Sequence, residues 1–326
     1  MSRSEVSSLD QVENAIALIN PNCTNYAQGL RRLERLQKHA RFSIDFNYTH
    51  ANPLLNQAVI EASLESCDLL LAVTGDGTLN HIVNSLLSGS LSSEANRTPI
   101  WSLGGGDASD GHKANYDRLY RRRPDLALED GKIAEIYPIY CAIEAVKGER
   151  YKRYAAFYLS LGATALASNQ QYLNNQKHRQ SFFGRNPIGQ LLSEPMIAAK
   201  ALYGAQTPLI MANNSIIPIY NMVFANSSRM AKRCRYPTTI TRRELFQTTI
   251  TEKNMLTIYR EAIKSIKGMS DGVFLALEDS FNFIALDPIW AQFDGEAELI
   301  LPGSKVSVGL NPEPVRMVVA NPDLDL

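Results

Sequence analysis

The sequence is poor in the features that mark a metal centre, a disulfide scaffold or a membrane span. Its four cysteines, Cys23, Cys67, Cys141 and Cys234, are far apart. No CxxC pair and no zinc-type cluster arises from neighbours, and free cytosolic thiols are expected. The five histidines, His39, His50, His81, His112 and His178, are scattered and form no HExxH. Net charge is also absent: 33 basic residues balance 33 acidic ones. Nothing global therefore draws the chain to nucleic acid or to an anionic surface. No apolar run approaches the ~20 residues that span a bilayer. The N-terminal MSRSEVSSLDQVE is polar and lacks the apolar core of a signal peptide. No internal repeat or low-complexity tract is present. These absences predict a cytoplasmic protein, with peripheral contact the one route left to a membrane.

What is present is an ordinary globular composition, 45% hydrophobic and 20% charged over 326 residues. That length favours two domains over one core. The densest signal is Leu69–Leu87, LLLAVTGDGTLNHIVNSLL. Leu69 to Val73 reads as a buried strand, followed at once by Thr74-Gly75-Asp76-Gly77-Thr78. Leu79, Ile82, Val83, Leu86 and Leu87 then recur at helical spacing. A strand that turns through two glycines into a helix leaves free backbone N–H groups at the positive end of a helix dipole, an anion site. Glycines remove Cβ atoms, so a phosphate can approach the main chain. Asp76 inside that loop would repel phosphate unless a cation lay between them, which points to Mg²⁺ and phosphoryl transfer. The bland alternative is a turn residue that caps a helix.

Around this stretch the first 130 residues alternate strands and helices. Asn14–Ile19 reads as a strand, Gln28–His39 as a helix, Phe42–Tyr48 as a strand, Pro53–Leu64 as a helix begun by proline, and Pro99–Leu103 as a strand. The run Arg31, Arg32 and Arg35 reads as a solvated helix face. Alternation of this kind implies a parallel sheet with its ligand at the strands' C-terminal ends. Asn20, Thr49, the Asp76 loop and Gly104-Gly105-Gly106 all fall at that edge. After residue 130 the texture becomes β-rich. Ile133–Val146 and Tyr151–Leu161 flank a Lys147-Gly148 turn as a hairpin. Ile216–Ala225, Met255–Ala262, Gly272–Leu277, Ala291–Leu301 and Lys305–Leu310 read as further strands. Gln190–Tyr203 reads as a helical interruption, and Val315–Ala320 as a last strand after Pro312 and Pro314.

Here the residues resemble the diacylglycerol kinase catalytic family, whose superfamily includes bacterial soluble lipid kinases, sphingosine and ceramide kinases and, more distantly, NAD kinases. Asn20-Pro21-Asn22-Cys23-Thr24 resembles the family's NPxSG turn. Thr74-Gly75-Asp76-Gly77-Thr78 with Leu79-Asn80 resembles GGDGT, and Leu103-Gly104-Gly105-Gly106-Asp107-Ala108 resembles LGTGND. Phe157–Ala163 is similar to a family sheet motif that ends in glycine, and Asn226 sits where the family has an Asn before a Gly-rich loop. Ser270-Asp271-Gly272-Val273 resembles DDG-L, and Phe293-Asp294-Gly295-Glu296 resembles VDGE. The departures are Thr74 for Gly, Gly105 for Thr, Asp107-Ala108 for Asn-Asp and Cys23-Thr24 for Ser-Gly.

The resemblance implies an NAD-kinase-like α/β nucleotide-binding domain over residues 1–130, joined by a returning 312–326. A mostly antiparallel β-sandwich over 131–311 would hold lipid. It implies an ATP- and Mg²⁺-dependent lipid kinase acting on a hydroxyl of a diacylglycerol-like or sphingoid lipid. Nucleotide would touch Asn20, Thr49, Thr74, Gly75, Asp76, Gly77, Thr78, Asn80, Gly104 and Gly105. Either Glu296 or Asp76 would be the base, and Asp76 would hold Mg²⁺ directly or through water. Asp271, with the carbonyls of Gly268 and Val273, would hold a structural Mg²⁺. On local evidence alone Asp294-Gly295 is a hairpin signal and Asp271 an acidic turn residue. The expected partners are ATP and a lipid at a membrane surface, with no nucleic acid; a homodimer is compatible. Arg229, Lys232, Arg233 and Arg235 read as a solvated basic run, and Phe182-Phe183 between Arg179 and Arg185 as core. The competing readings are a catalytically impaired member that senses nucleotide or lipid, and a kinase for a small soluble alcohol.

Overall fold

The structure, a computed structural model, describes residues 6–106, 109–169, 202, 204–230, 234–237 and 243–320. Six segments alternate through the N-terminal part: β1 (Asn14–Ile19), α1 (Tyr26–Gln37), β2 (Ser43–Tyr48), α2 (Pro53–Ser66), β3 (Leu69–Val73) and α3 (Asp76–Leu87). Then come β4 (Ile100–Ser102), the short α4 (Asp110–Asn115) and β5 (Lys132–Ile136). The last strand, β20 (Val315–Val319), returns to this sheet, whose order is β2-β1-β3-β4-β20-β5. All pairs are parallel except β20 with β5. Both faces are covered, as a parallel sheet requires. Ile16 and Leu18 point into the core shared with α2 and α3, while Ala15, Ala17 and Ile19 point into the core shared with α1. That is why β1 and β3 read as unbroken apolar runs.

The β-rich part consists of β6 (Ile139–Glu144), β7 (Arg150–Ala155), β8 (Tyr158–Gly162), β9 (Leu209–Ala212), β10 (Ser215–Pro218), β11 (Asn221–Ala225), β12 (Arg229–Met230), β13 (Cys234–Arg235), β14 (Glu244–Ile250), β15 (Val273–Ala276), β16 (Ser280–Ala285), β17 (Ile289–Phe293), β18 (Glu296–Ile300) and β19 (Lys305–Leu310). Two six-stranded antiparallel sheets form, ordered β10-β9-β16-β19-β6-β7 and β15-β14-β11-β8-β17-β18. They face one another across a core of alternating inward residues, among them Cys141, Leu159, Phe224, Phe293 and Val308. The other face of the second sheet contributes Phe157, Tyr158, Val223, Ala225 and Phe246 to the core of α2 and α3. Packing between the two parts is thus continuous and apolar.

Several sequence expectations change, and Ile216–Ala225 and Ala291–Leu301 each hold two strands, β10 with β11 and β17 with β18. Met255–Ala262 is not a strand but the start of a helix, Met255–Lys267. Its boundary signals are chemical: the Asn254 side chain accepts from the Leu256 N–H, and Gly268 closes the helix in the left-handed region. Ile133–Val146 and Tyr151–Leu161 each divide into two strands in different sheets, broken at Tyr137-Pro138 and at Ala156-Phe157. The run Arg31, Arg32 and Arg35 is only partly solvated. Arg32 donates to the carbonyls of Leu103 and Arg121, both at 2.8 Å, and Arg35 to that of Arg122 at 2.8 Å. The helix expected over Gln190–Tyr203 lies, but for residue 202, outside the described residues, as do Asp107, Ala108, Arg179, Phe182, Phe183, Arg185, Lys232 and Arg233.

Candidate active site

The chain runs from β1 to β2 on one side and to β3 on the other, so the sheet changes direction between β1 and β3. In a parallel sheet such a change of direction marks the C-terminal strand ends as the place where a ligand crevice forms. Asn20, Thr49 and the loop before α3 stand at those strand ends. Asn20 follows β1 and its amide donates to Thr78 Oγ1 at 2.9 Å, bridging the crevice. Thr49 follows β2, tied by its N–H to the Ile19 carbonyl at 2.9 Å. Gly75 is the N-cap of α3, with no side chain capping the helix. The first-turn amides therefore have no capping side chain.

The glycines serve a purpose that the sequence alone did not disclose. Gly75 and Gly77 have negative φ, and Thr74 lies outside the left-handed region too, so its β-branch meets no backbone obstacle. Their missing Cβ atoms instead let loops meet. A Cβ at Gly106 would lie 2.6 Å from the Cα of Gly75, and one at Gly105 would lie 3.4 Å from the Thr74 backbone. Asn25 fastens the same loop by donating to the carbonyls of Gly105 and Gly106, at 2.7 and 2.9 Å. Thr74 is buried, and Gly104 is packed beneath Arg32 and His112.

Asp76 opens α3, but its side chain caps a different helix. Its two oxygens accept from the N–H groups of Asp110 and Gly111, at 3.0 and 3.2 Å, and so hold the start of α4 against α3. The residue keeps some exposed surface, yet its carboxyl is enclosed and lies near two other buried carboxylates. Desolvation, then the charge of Asp110, push it up to about 7 against the pull of those hydrogen bonds.

Asp294 and Gly295 form the two-residue turn between β17 and β18, with φ of 47° and 107°. Both being left-handed is the signature of a tight hairpin of the primed type. The Asp294 carboxylate turns inward. It accepts from the N–H groups of Ala156, Phe157 (3.1 Å) and Tyr158 (3.0 Å), and from Asn80 Nδ2 (3.3 Å). These amides are freed where the chain crosses from β7 to β8, which explains the break there. Burial pushes Asp294 up to about 6, with the hydrogen bonds opposing it. The next residue, Glu296, points the other way. Its side chain is half-exposed, Oε1 lies 3.9 Å from His81 Nε2, and a Cβ on Gly77 would collide with that same oxygen. Residues more than 200 apart in sequence thereby form one acidic wall over the start of α3.

Asn80 is buried, and its amide donates to the Tyr154 carbonyl at 2.6 Å as well as to Asp294. It is a strut between the two parts, away from the open crevice. Asp271 lies elsewhere, exposed and ion-paired with Lys264, whose hydrogen bond lowers the carboxyl's pKa. Gly268 closes the preceding helix and Val273 opens β15. No group of three or more His, Cys, Asp or Glu suited to a metal occurs among the described residues. Sequence reasoning missed Asp110 and His112. His112 is buried, its Nδ1–H donates to the Ser102 carbonyl at 2.8 Å, and its Nε2 has no partner. Burial and the nearby Arg32 push its pKa down to about 3, so the ring is neutral. One signal was available: Asp110 and His112 lie just beyond the third glycine motif.

Residues 14–114 match the diacylglycerol kinase catalytic domain. The matched segment runs from the first residue of β1 into α4, and so contains both glycine loops and Asp76. It supports a kinase-type activity. No curated protein matches the sequence. Among solved structures, one provisionally described as a diacylglycerol kinase from Bacillus anthracis aligns over 96% of this chain and 99% of its own, with 12% identity and a TM-score of 0.63. A further Bacillus anthracis diacylglycerol kinase covers 95% and 98%, with 12% identity and a TM-score of 0.59. Yeast NADH kinase complexed with NADH covers 96% and 85%, with 10% identity and a TM-score of 0.55. At such identities the likeness is one of fold. The fold is the expected one, an NAD-kinase-like α/β domain with a second domain of antiparallel sheets.

Proposed function

We propose that this chain transfers the γ-phosphate of ATP, with Mg²⁺, to a hydroxyl of a diacylglycerol-like or sphingoid lipid. The observation that carries the reading is the seating of Glu296 against Gly77, which brings an acidic side chain from the β-rich part onto the phosphate-loop-like start of α3. The uncapped first turn of α3 suits a polyphosphate. The carboxylates of Asp76 and Glu296 beside it suit a hard cation that offsets their charge. Bound Mg²⁺ would neutralise charge building on the phosphates, as in phosphoryl transfer generally. Asn20, Thr49 and Thr78 would orient the nucleotide from the crevice rim. Glu296, the more exposed carboxylate, or Asp76, the one with the raised pKa, would take the acceptor hydroxyl's proton. In this reading residues 1–130 with 312–326 hold nucleotide and 131–311 hold lipid. A second Mg²⁺ at Asp271, Gly268 and Val273 would require Lys264 to release its carboxylate partner.

The test is transfer of labelled γ-phosphate from ATP to a panel of lipids, run with Mg²⁺ and with EDTA. Label in a lipid product, lost with EDTA, is expected. Absence of both lipid product and ADP would sink the reading. The fold shared with yeast NADH kinase supports a second reading, a soluble acceptor. Label appearing in NAD(H) or a small alcohol, with none in lipid, would select it.

A further inference from the structure

The helix Met255–Lys267 is amphipathic in the inverted sense. Ile258, on its inner side, packs toward Ala163 and Tyr220. The outer side carries Leu256 (76% exposed), Tyr259 (66%) and Ile266 (50%) at helical spacing, and the segment beyond adds Met269 (66%) and Val273 (56%). A helix that needed only to cover a core would place these residues inward. The same surface is basic. Arg260 and Lys267 are exposed on the outer stripe. Arg235 of the small β12–β13 hairpin lies beside the helix C-terminus, where a Cβ on Gly268 would come 3.5 Å from its Cβ. Lys264 bridges Glu261 and Asp271, and Arg260 also pairs with Glu261 at 3.3 Å, so the two carboxylates of this face are offset by Lys264 and Arg260 together and Lys267 and Arg235 are left in excess.

We infer that this face docks on an anionic lipid bilayer: Leu256, Tyr259, Ile266 and Met269 enter the interfacial zone while Arg235 and Lys267 meet lipid phosphates. Exposed apolar residues flanked by cations, on a chain of zero net charge, match the chemistry of such a surface. Among the described residues no helix is long and apolar enough to cross a membrane. Contact from one side is therefore what these helices permit. The inference rests on the lipid-kinase reading and deepens it by naming the face that would meet the membrane.

The full chain is sedimented with vesicles of phosphatidylcholine alone and with about 30 mol % phosphatidylglycerol. Binding to the anionic vesicles is expected to exceed binding to the neutral ones. Replacing Leu256 and Tyr259 together by Ser should weaken it at least about 10-fold. Lys267→Gln and Arg235→Gln should each weaken it about 5-fold. Leu256→Trp should keep binding and shift its emission to the blue on vesicles. Unchanged binding by the double Ser variant, with unchanged melting, would overturn the proposal, as would no blue shift. A change from dimer to monomer in the Ser variant with binding intact would make the face a subunit contact instead, which also overturns it. Vesicle binding without any kinase activity would sink the functional reading alone. Activity on short-chain dispersed lipid without vesicle binding would sink the docking alone.

Discussion

Burial and the carboxylates of Asp110 and Asp294 hold Asp76 up to about 7. The folded protein therefore keeps a proton that the unfolded chain gives up from about pH 4 upward. The stabilisation this proton provides is complete below the unfolded value of 3.8 and is lost as pH rises through about 7. Asp76→Asn removes the charge and retains an acceptor for α4. Its melting temperature should exceed that of the parent above pH 7, corresponding to about 1–2 kcal/mol in stability, and the gap should close only by about pH 4. Scans of both proteins at several pH values measure this. The same variant should lose transfer activity at least ~100-fold if the carboxylate organises a metal. A side chain that costs stability in its working form is what a functional site predicts and what a simple helix cap does not. Gly77→Ala gives the complementary case. Its new methyl would displace Glu296, so activity should fall while the melting temperature moves little, because Glu296 is half-exposed. Normal activity would remove Glu296 from the site.

The hairpin of β17 and β18 shows how one turn serves two purposes. Asp294 closes the crossing from β7 to β8, and Gly295 swings the chain so that Glu296 faces the crevice. Asp294→Ala would strand the buried N–H groups of Ala156, Phe157 and Tyr158. A loss of about 3 kcal/mol or more in denaturant unfolding is expected. A loss under about 1 kcal/mol would mean that water replaces the carboxylate. Asp-Gly announced this turn in the sequence because few dipeptides accept two left-handed residues. Its inward carboxylate was not legible, since the amides it satisfies lie far back in the chain. The helix Met255–Lys267 was misread for a related reason. Its apolar residues face water, so hydrophobic pattern misled where Asn254 and Gly268, the true boundary signals, did not. Strand–helix alternation was legible up to β4 because both faces of a parallel sheet are buried and its strands stay apolar throughout.

At the scale of the molecule the site exists only when both parts are assembled. Asn80, rooted in α3, reaches the Tyr154 carbonyl and Asp294, and the apolar core beneath α2 and α3 includes Phe157 and Phe246. The ordered motifs made this partnership legible, while the contacts that enforce it are side-chain geometry and were not. The first sheet also depends on the far end of the chain. β20 lies between β4 and β5, with Met317 beside Ile100 on one flank and Ala134 on the other. Ending the chain after residue 311 should abolish cooperative unfolding of the α/β part by circular dichroism. A truncated protein that still melts cooperatively with intact helix content would show that β20 is dispensable. On a ribosome this arrangement imposes an order. Strands β6 to β19 are contiguous and can close their sandwich while the sheet that began the protein still waits with a gap in its middle. The first residues translated are thus among the last to reach their final packing, and during synthesis the exposed edges of β4 and β5 would need shielding from wrong partners until β20 emerges.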